Sequence, residues 1–89
     1  MYLHLGQNTV VRTASVVGIF DIENTSTSRL TRSYLSQAEK SGQVVNVSTE
    51  LPKSFVVCRE GKRTVVYISQ ISPATLKKRM GYLSELSNL

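Results

Sequence analysis

The sequence has little of the chemistry that disulfides and metal sites require. It contains one cysteine, Cys58, and one histidine, His4. A single cysteine cannot form an internal disulfide, and these two residues lack the ligand spacing of a zinc site. We therefore predict no metal and no cofactor. The position of His4 among alternating apolar residues indicates a strand or interface histidine, and Cys58, at the end of an apolar run, a small core residue.

Catalytic signatures are missing as well. The segment GKRT at residues 61–64 superficially resembles a phosphate-binding loop. The full pattern would require glycine at Val56 and serine or threonine at Arg63, so the resemblance is rejected. No Ser/His/Asp set can be built without His4, and no acidic residue lies beside it in the sequence. The sequence thus predicts a protein that is not an enzyme and has no small-molecule substrate.

Long apolar runs are absent from the sequence. No stretch approaches the roughly 20 apolar residues that span a bilayer. The opening residues, MYLHLGQN, have no basic region leading into an apolar run, as a secretory signal would. We therefore predict a cytoplasmic protein with no membrane partner. A more remote alternative is contact with an anionic membrane surface through a basic second helix.

The length of 89 residues predicts a single domain over residues 1–89. A chain this short buries only about 60–65% of its unfolded surface, so its core is modest. Self-association would bury more surface, which makes a homo-oligomer a reasonable expectation.

The formal net charge of +5 is distributed unevenly. Residues 1–50 contain four Lys or Arg and four acidic residues, whereas residues 51–89 contain seven and two. A basic surface suits a polyanion such as nucleic acid. The alternative is an excess of charge that serves only solubility, and charge alone leaves both interpretations open.

Hydrophobic periodicity predicts six short strands and two helices in the order β-β-β-α-β-β-β-α. The predicted strands span residues 2–5, 9–12, 16–22, 43–47, 54–58 and 63–68. A loop and helix N-cap at residues 23–28 precede a first helix at 28–41, and a second helix runs from 73 to about 83 or 86, with a frayed tail after about 84. Short strands with tight connections indicate an α+β fold with a mostly antiparallel sheet of five to six strands and both helices on one face.

Four local signals sharpen these boundaries. Gly42 follows the first helix where a left-handed cap residue belongs, and Gly61 occupies the position of positive φ in a hairpin loop. Ser72 and Pro73 form a helix start, with serine as N-cap and proline at the first helical position. Gly18, inside the third strand, indicates a bulge or a close backbone approach.

Basic residues are the remaining functional feature. Arg59, Lys62 and Arg63 cluster around a hairpin tip, whereas other cations lie on the two helices or next to strands. Such residues can neutralise DNA phosphates, which gives an affinity that falls with salt. The alternative is that each is a solvated charge, in some cases guarding a sheet edge. The candidates for DNA binding are Arg12 and Lys53 first, then Arg29 and Arg32, and further Arg59, Lys62, Arg63, Lys77, Lys78 and Arg79.

Five co-linear segments carry a family resemblance. They are MYLHLG, VVGIFDIENTSTS, SYLSQAEKSGQVVNVS, LPKSFVV and TVVYISQISPATLKKR, and they cover about residues 1–80. Together they resemble the RemA/RemB family of bacterial regulators of the extracellular (biofilm) matrix, and the RemB branch more closely. The resemblance implies an α+β fold similar to LytTR-type domains, ring-like homo-oligomers, and binding of double-stranded, AT-rich promoter DNA in transcription regulation.

One position departs from the DNA-binding branch of this family. The resemblance implies adjacent arginines in the loop before the apolar strand, but this chain has Leu51 and Pro52 there. Neither side chain can neutralise a phosphate, and the nearby Lys53 lacks the bidentate fork of arginine. Two functions therefore stay open: a homo-oligomeric DNA-binding regulator, or a homo-oligomeric interaction module of the same system that does not bind DNA.

Overall fold

The computed structural model describes residues 1–22 and 29–87. These residues contain six strands and two α-helices. The α+β class and the predicted element order are confirmed, whereas the predicted loop and N-cap at residues 23–28 lie outside the described residues. The second helix extends beyond Leu86, the furthest predicted end. The elements are β1 (Tyr2–Gly6), β2 (Thr9–Arg12), a 3-10 turn (Thr13–Ser15), β3 (Val16–Asp21), α1 (Arg29–Lys40), β4 (Val44–Asn46), β5 (Ser54–Glu60), β6 (Arg63–Ser69) and α2 (Pro73–Ser87).

The strands form two sheets. Strands β1 and β2 pair as an antiparallel hairpin, and the other four strands form a sheet in the order β3-β5-β6-β4. Three of the pairings are antiparallel, and β4 alone runs parallel to its neighbour β6. The prediction of mostly antiparallel pairing is confirmed, but the six strands divide into two sheets where a single sheet of five to six strands was predicted. The likeness to LytTR-type domains stays a prediction.

The central strand β5 is buried on both of its faces. Neighbouring side chains of a strand point to opposite faces. Accordingly, Val56 and Cys58 pack in one cluster with Leu76 of α2. Phe55 packs in a second cluster with Ala38 of α1. The two helices therefore cover opposite faces of the sheet, and the prediction that they share one face is wrong.

Strand β3 contains a bulge at the position that Gly18 indicates. The pairing of β3 with β5 shifts between Val16 and Gly18, and Val17 is left 68% exposed. A Cβ atom on Gly18 would lie 2.7 Å from the Phe20 ring, so it is a side chain, and not the predicted neighbouring backbone, that comes close here. Because of the bulge, Val16 packs against the same cluster as Ile19, although simple alternation places them on opposite faces.

The predicted turn and cap residues are confirmed. Gly42 has φ +70°, and the N–H groups of Gly42 and Gln43 donate to the carbonyls of Glu39 and Ala38, which forms a Schellman cap. The Ser72 hydroxyl accepts a hydrogen bond from the Thr75 N–H at 3.2 Å, as an N-cap does. Gly61 has φ +64° in the tight turn between β5 and β6.

Candidate nucleic-acid interface

All eleven Lys and Arg residues of the chain have exposed side chains. The set includes the ten residues predicted from the sequence as candidates for DNA binding. Exposure is expected for these residue types, so it does not by itself distinguish a binding surface from a solvated one. The distinction depends on which cations the fold brings together.

A groove between the two hairpins unites Arg12 with Arg59. Arg12 ends β2, and the 3-10 turn leads directly to Val16, which pairs with Cys58, the neighbour of Arg59. The fold therefore places residues 47 positions apart on the walls of one depression of about 420 Å³. We call this depression the tip groove, and it is lined by Tyr2, Val10, Val11, Arg12, Ser15, Arg59, Glu60 and Gly61.

Hydrogen bonds orient the charged side chains of the tip groove. The Nε–H of Arg59 donates to the Gly61 carbonyl at 3.3 Å, which engages Nε and not the two terminal nitrogens. The carboxylate of Glu60 accepts a hydrogen bond from the Tyr67 hydroxyl at 2.9 Å. Burial, followed by this hydrogen bond and the negative charge of Glu60, raises the pKa of Tyr67 to about 12. Tyr67 therefore remains a donor to Glu60 throughout the neutral range.

The hairpin tip itself carries the predicted cluster. Gly61 and Lys62 form a two-residue turn, and Arg63 lies opposite Glu60 in the pairing of β5 and β6. Arg59, Lys62 and Arg63 thus lie at one end of the central hairpin, as predicted. The position of Arg12 at this end was not evident from the sequence, because it depends on the pairing of β3, which follows β2 and the 3-10 turn, with β5.

Lys53 lies at the other end of β5. The strand has seven residues, which separates its two ends by about 20 Å. The backbone of Lys53 is held on both sides, since its N–H donates to the Ser69 carbonyl and its carbonyl accepts from the Ile22 N–H. Asp21, opposite Ser54, and Glu50, in the preceding loop, lie near this end. In formal charge, the tip end is thus basic, whereas the Lys53 end is not.

Helix α1 presents a second basic surface. Arg29 and Arg32 line one shallow depression on its outer face, as residues about one helical turn apart do. Lys40 lines the same depression and was missed by the sequence analysis. The signal was available, because eleven residues from Arg29 correspond to three helical turns. The rest of the described lining is polar and consists of Ser33, Ser36, Gln37 and Ser41.

On helix α2, Arg79 differs from its basic neighbours. Its Nη1–H donates to the His4 carbonyl at 3.1 Å, so Arg79 ties α2 to β1. Lys77 and Lys78 are exposed beside it. His4 lies in β1, as predicted, and its Nε2 donates to the Gln7 carbonyl at 2.8 Å across the turn after β1.

Cys58 is completely buried in the core, as predicted. Burial, followed by the negative charge of Glu60, raises the pKa of its thiol from 9.0 to about 11. In the described part of the chain, no three or more His, Cys, Asp or Glu side chains form a group that could hold a metal ion. No helix in that part is long and apolar enough to cross a membrane.

The raised pKa of Cys58 predicts a loss of stability at alkaline pH. The thiol ionises near pH 9 in the unfolded chain but near pH 11 in the folded protein, so its contribution is complete below pH 9 and lost as the pH rises to 11. This loss should amount to about 2–3 kcal/mol. Urea unfolding between pH 7 and 11 measures it, and Cys58→Ala is the control. The free energies of the two proteins should converge with rising pH, and parallel curves would contradict the prediction.

Two comparisons with known proteins identify the family of the chain. Residues 2–80 match the RemA-like family, described as Extracellular matrix regulatory protein A-like. The chain belongs to the RemA-like family. It is also 35% identical over 88 residues to the Extracellular matrix regulatory protein B of Bacillus subtilis (strain 168), a match that covers 99% of this chain and 100% of the relative. The resemblance predicted from the five segments is therefore confirmed.

The RemA-like chain carries no cation at the positions before β5 where the resemblance implies adjacent arginines. The Leu51 side chain is 76% exposed there, and Pro52 is half-buried. The exposed basic surfaces of this family member lie instead at the hairpin tip, on α1 and on α2.

Proposed function

We propose that this RemA-like protein is a cytoplasmic, homo-oligomeric regulator of extracellular-matrix genes that binds double-stranded DNA and catalyses no reaction. The observation that carries the proposal is that the fold gathers four exposed cations at one end of the central hairpin, on a chain with a net charge of +5. Cations on an open surface can approach phosphates and release condensed counterions, which supplies affinity without base contacts. The printed name of the B. subtilis relative, an extracellular matrix regulatory protein, supports the regulatory role.

Exposed apolar side chains support self-association. Strands β3 and β4 are the outer strands of the four-stranded sheet, and each carries an exposed valine, Val17 and Val45. Outer strands present backbone groups that a second chain can pair with. Contact between two different edges of neighbouring copies is a heterologous interface, which closes into a ring when the rotation allows it. Several copies would then engage one duplex, and avidity would compensate for weak single contacts.

The alternative is a homo-oligomeric interaction module of the same regulatory system that does not bind DNA. The specific observation in its favour is the pair Leu51 and Pro52, which replaces phosphate-binding chemistry with an exposed apolar side chain. Both functions share self-association, and DNA binding separates them.

We expect the protein to shift a duplex of AT-rich promoter DNA in a mobility assay, with an affinity that weakens steeply with salt. Six or more phosphate contacts per assembly would reduce the affinity by about 10³-fold between 50 and 200 mM salt. Absence of binding at 50 mM would contradict the DNA-binding proposal. Native mass spectrometry of the same sample tests the shared part, since a monomer would contradict both functions.

A further inference from the structure

We infer that the tip groove is the site where this protein holds a backbone phosphate of double-stranded DNA, an inference that rests on the proposed function. The groove combines two guanidinium groups that the sequence keeps far apart, Arg12 and Arg59. The assignment moves the DNA contact away from the loop before β5, where the resemblance implies it, to the opposite end of the central strand.

The two guanidinium groups of the tip groove match the chemistry of a phosphate. Arginine offers a planar fork of donors that matches the oxygens of a phosphate, and it is more weakly hydrated than lysine. The hydrogen bond between Arg59 Nε and the Gly61 carbonyl positions this side chain through its inner nitrogen, so the terminal nitrogens are the ones that can meet a ligand. Arg12 lines the same depression and is exposed. A phosphate between the two side chains would be met by a guanidinium from each hairpin.

The charges in and beside the tip groove favour an anion. Two like charges in one groove repel each other, and a concave surface concentrates their field. The acidic residue of the groove, Glu60, accepts a hydrogen bond from Tyr67, which holds its carboxylate on that hydroxyl. Lys62 and Arg63 at the adjoining turn add to the positive charge of this end. An anion in the groove would relieve the repulsion, and the next phosphates along a strand would meet the turn cations.

The size and the lining of the tip groove suit more than a phosphate group alone. The groove has a volume of about 420 Å³, larger than a phosphate group alone requires, and its wall includes the aromatic ring of Tyr2, which is 65% exposed. Tyr2 and Arg12 are cross-strand partners in the β1–β2 hairpin. An exposed aromatic ring beside a guanidinium suits a phosphate that arrives with its attached sugars. Such a surface is appropriate for a nucleic-acid backbone.

The other basic surfaces are built differently. Among the described residues, those that line the depression on α1 belong to that helix and to Ser41, which follows it directly. On α2, Arg79 already donates to the His4 carbonyl. Lys53 stands about 20 Å from the tip, in a region that also holds Asp21 and Glu50. The tip groove is therefore the site where independent elements converge on one anion.

The test compares two double variants that remove the same charge from the full-length protein. Arg12→Gln/Arg59→Gln empties the tip groove of arginine, and Arg29→Gln/Arg32→Gln makes the same change on α1. Fluorescence anisotropy with a labelled AT-rich duplex, measured at several salt concentrations, gives the affinity and its salt slope. Each lost phosphate contact should reduce the slope by about 0.9. We expect the groove variant to lose at least about tenfold in affinity and about 1.8 in slope, and the α1 variant to lose less than about threefold in affinity.

Each other outcome is decisive. Equal losses in the two variants would show that binding follows net charge, and an unchanged groove variant would exclude the groove; either result overturns the inference while DNA binding stands. If the wild-type protein does not bind the duplex at 50 mM salt, the proposed function fails and the inference fails with it. Thermal unfolding and native mass establish that each variant keeps its fold and assembly. Should the double variant unfold, Arg12→Glu alone, at an exposed position, should still weaken binding at least about tenfold.

A second ligand distinguishes the backbone of DNA from a small phosphate. Thymidine monophosphate has the same phosphate and sugar but cannot engage the turn cations through neighbouring phosphates. We expect its binding to be at least 100-fold weaker than that of the duplex. Tight binding of the mononucleotide that depends on Arg12 and Arg59, together with duplex binding that does not, would overturn the assignment to DNA.

Discussion

Replacement of Leu76 by alanine should lower the free energy of unfolding by about 3 kcal/mol, within the range of 2–5 kcal/mol typical for buried leucines. Leu76 is completely buried and packs in the cluster that contains Leu3, Leu5 and Val56. It therefore joins α2, the β1–β2 hairpin and the central sheet in one core. Removal of the side chain loses the transfer free energy of its methyl and methylene groups and leaves a cavity that this three-part contact cannot close.

The loss is large in relation to the whole protein. A domain of 89 residues is stable by roughly 4–13 kcal/mol, so this one leucine supports a substantial share. Thermal unfolding should show a midpoint about 10–20 °C lower than that of the wild type at equal protein concentration. Lys77→Ala is the matched control, because it truncates the next, exposed residue of the same helix. A similar shift in both variants would show that the change acts on helix propensity and not on the core.

Replacement of Ser69 by alanine should cost about 2–4 kcal/mol, although it removes a single oxygen atom. The buried Ser69 hydroxyl donates to the Leu5 carbonyl at 2.7 Å and accepts from the Ile71 N–H at 3.0 Å. It thereby ties β1 to the end of β6 and to the segment that leads into α2. Without the hydroxyl, the Leu5 carbonyl loses this partner in a buried place and the Ile71 N–H loses it in a partly buried one. Urea unfolding measures the difference from the wild type.

A neighbouring serine allows a sharper form of this experiment. Ser54, the cross-strand partner of Ser69, is also buried and donates to the Ile71 carbonyl at 2.8 Å. The two hydroxyls hold Ile71 from both sides, so the losses in Ser54→Ala and Ser69→Ala should not add in the double variant. Ser36→Ala, on the exposed face of α1, is the matched control and should change stability by less than about 0.5 kcal/mol. An unchanged Ser69→Ala protein would contradict the proposed tie.

Local chemistry explains why the element boundaries could be predicted. Gly42, Gly61 and the pair Ser72–Pro73 act on hydrogen bonds and backbone angles within a few residues, so their signals are complete in the sequence. The strand that contains Gly18 was predicted with its irregularity for the same reason. The effect of the bulge on Val16 was not, because the turn of a side chain to the other face depends on the partner strand.

The arrangement of the layers required the tertiary structure. Periodicity shows that one strand has two faces, but it does not show which element covers each face. The run SFVVC contained a usable signal, because an uninterrupted apolar strand is typical of burial on both sides. That signal favours helices on opposite faces of the sheet. The parallel pairing of β4 with β6 is likewise a contact between residues distant in the chain.

The sequence by itself determined the family, the α+β class, the element order and the surface position of the basic residues. These properties follow from composition, local hydrogen bonding and the alternation of apolar residues, all of which act over short distances. Only the tertiary structure decided that Arg12 meets Arg59 while Lys53 stands at the far end of the same strand. The reason is physical. The two arginines are 47 positions apart in the chain, and they share a groove because β3, which follows the turn after β2, pairs with β5. That pairing depends on the arrangement of the whole sheet and not on local sequence.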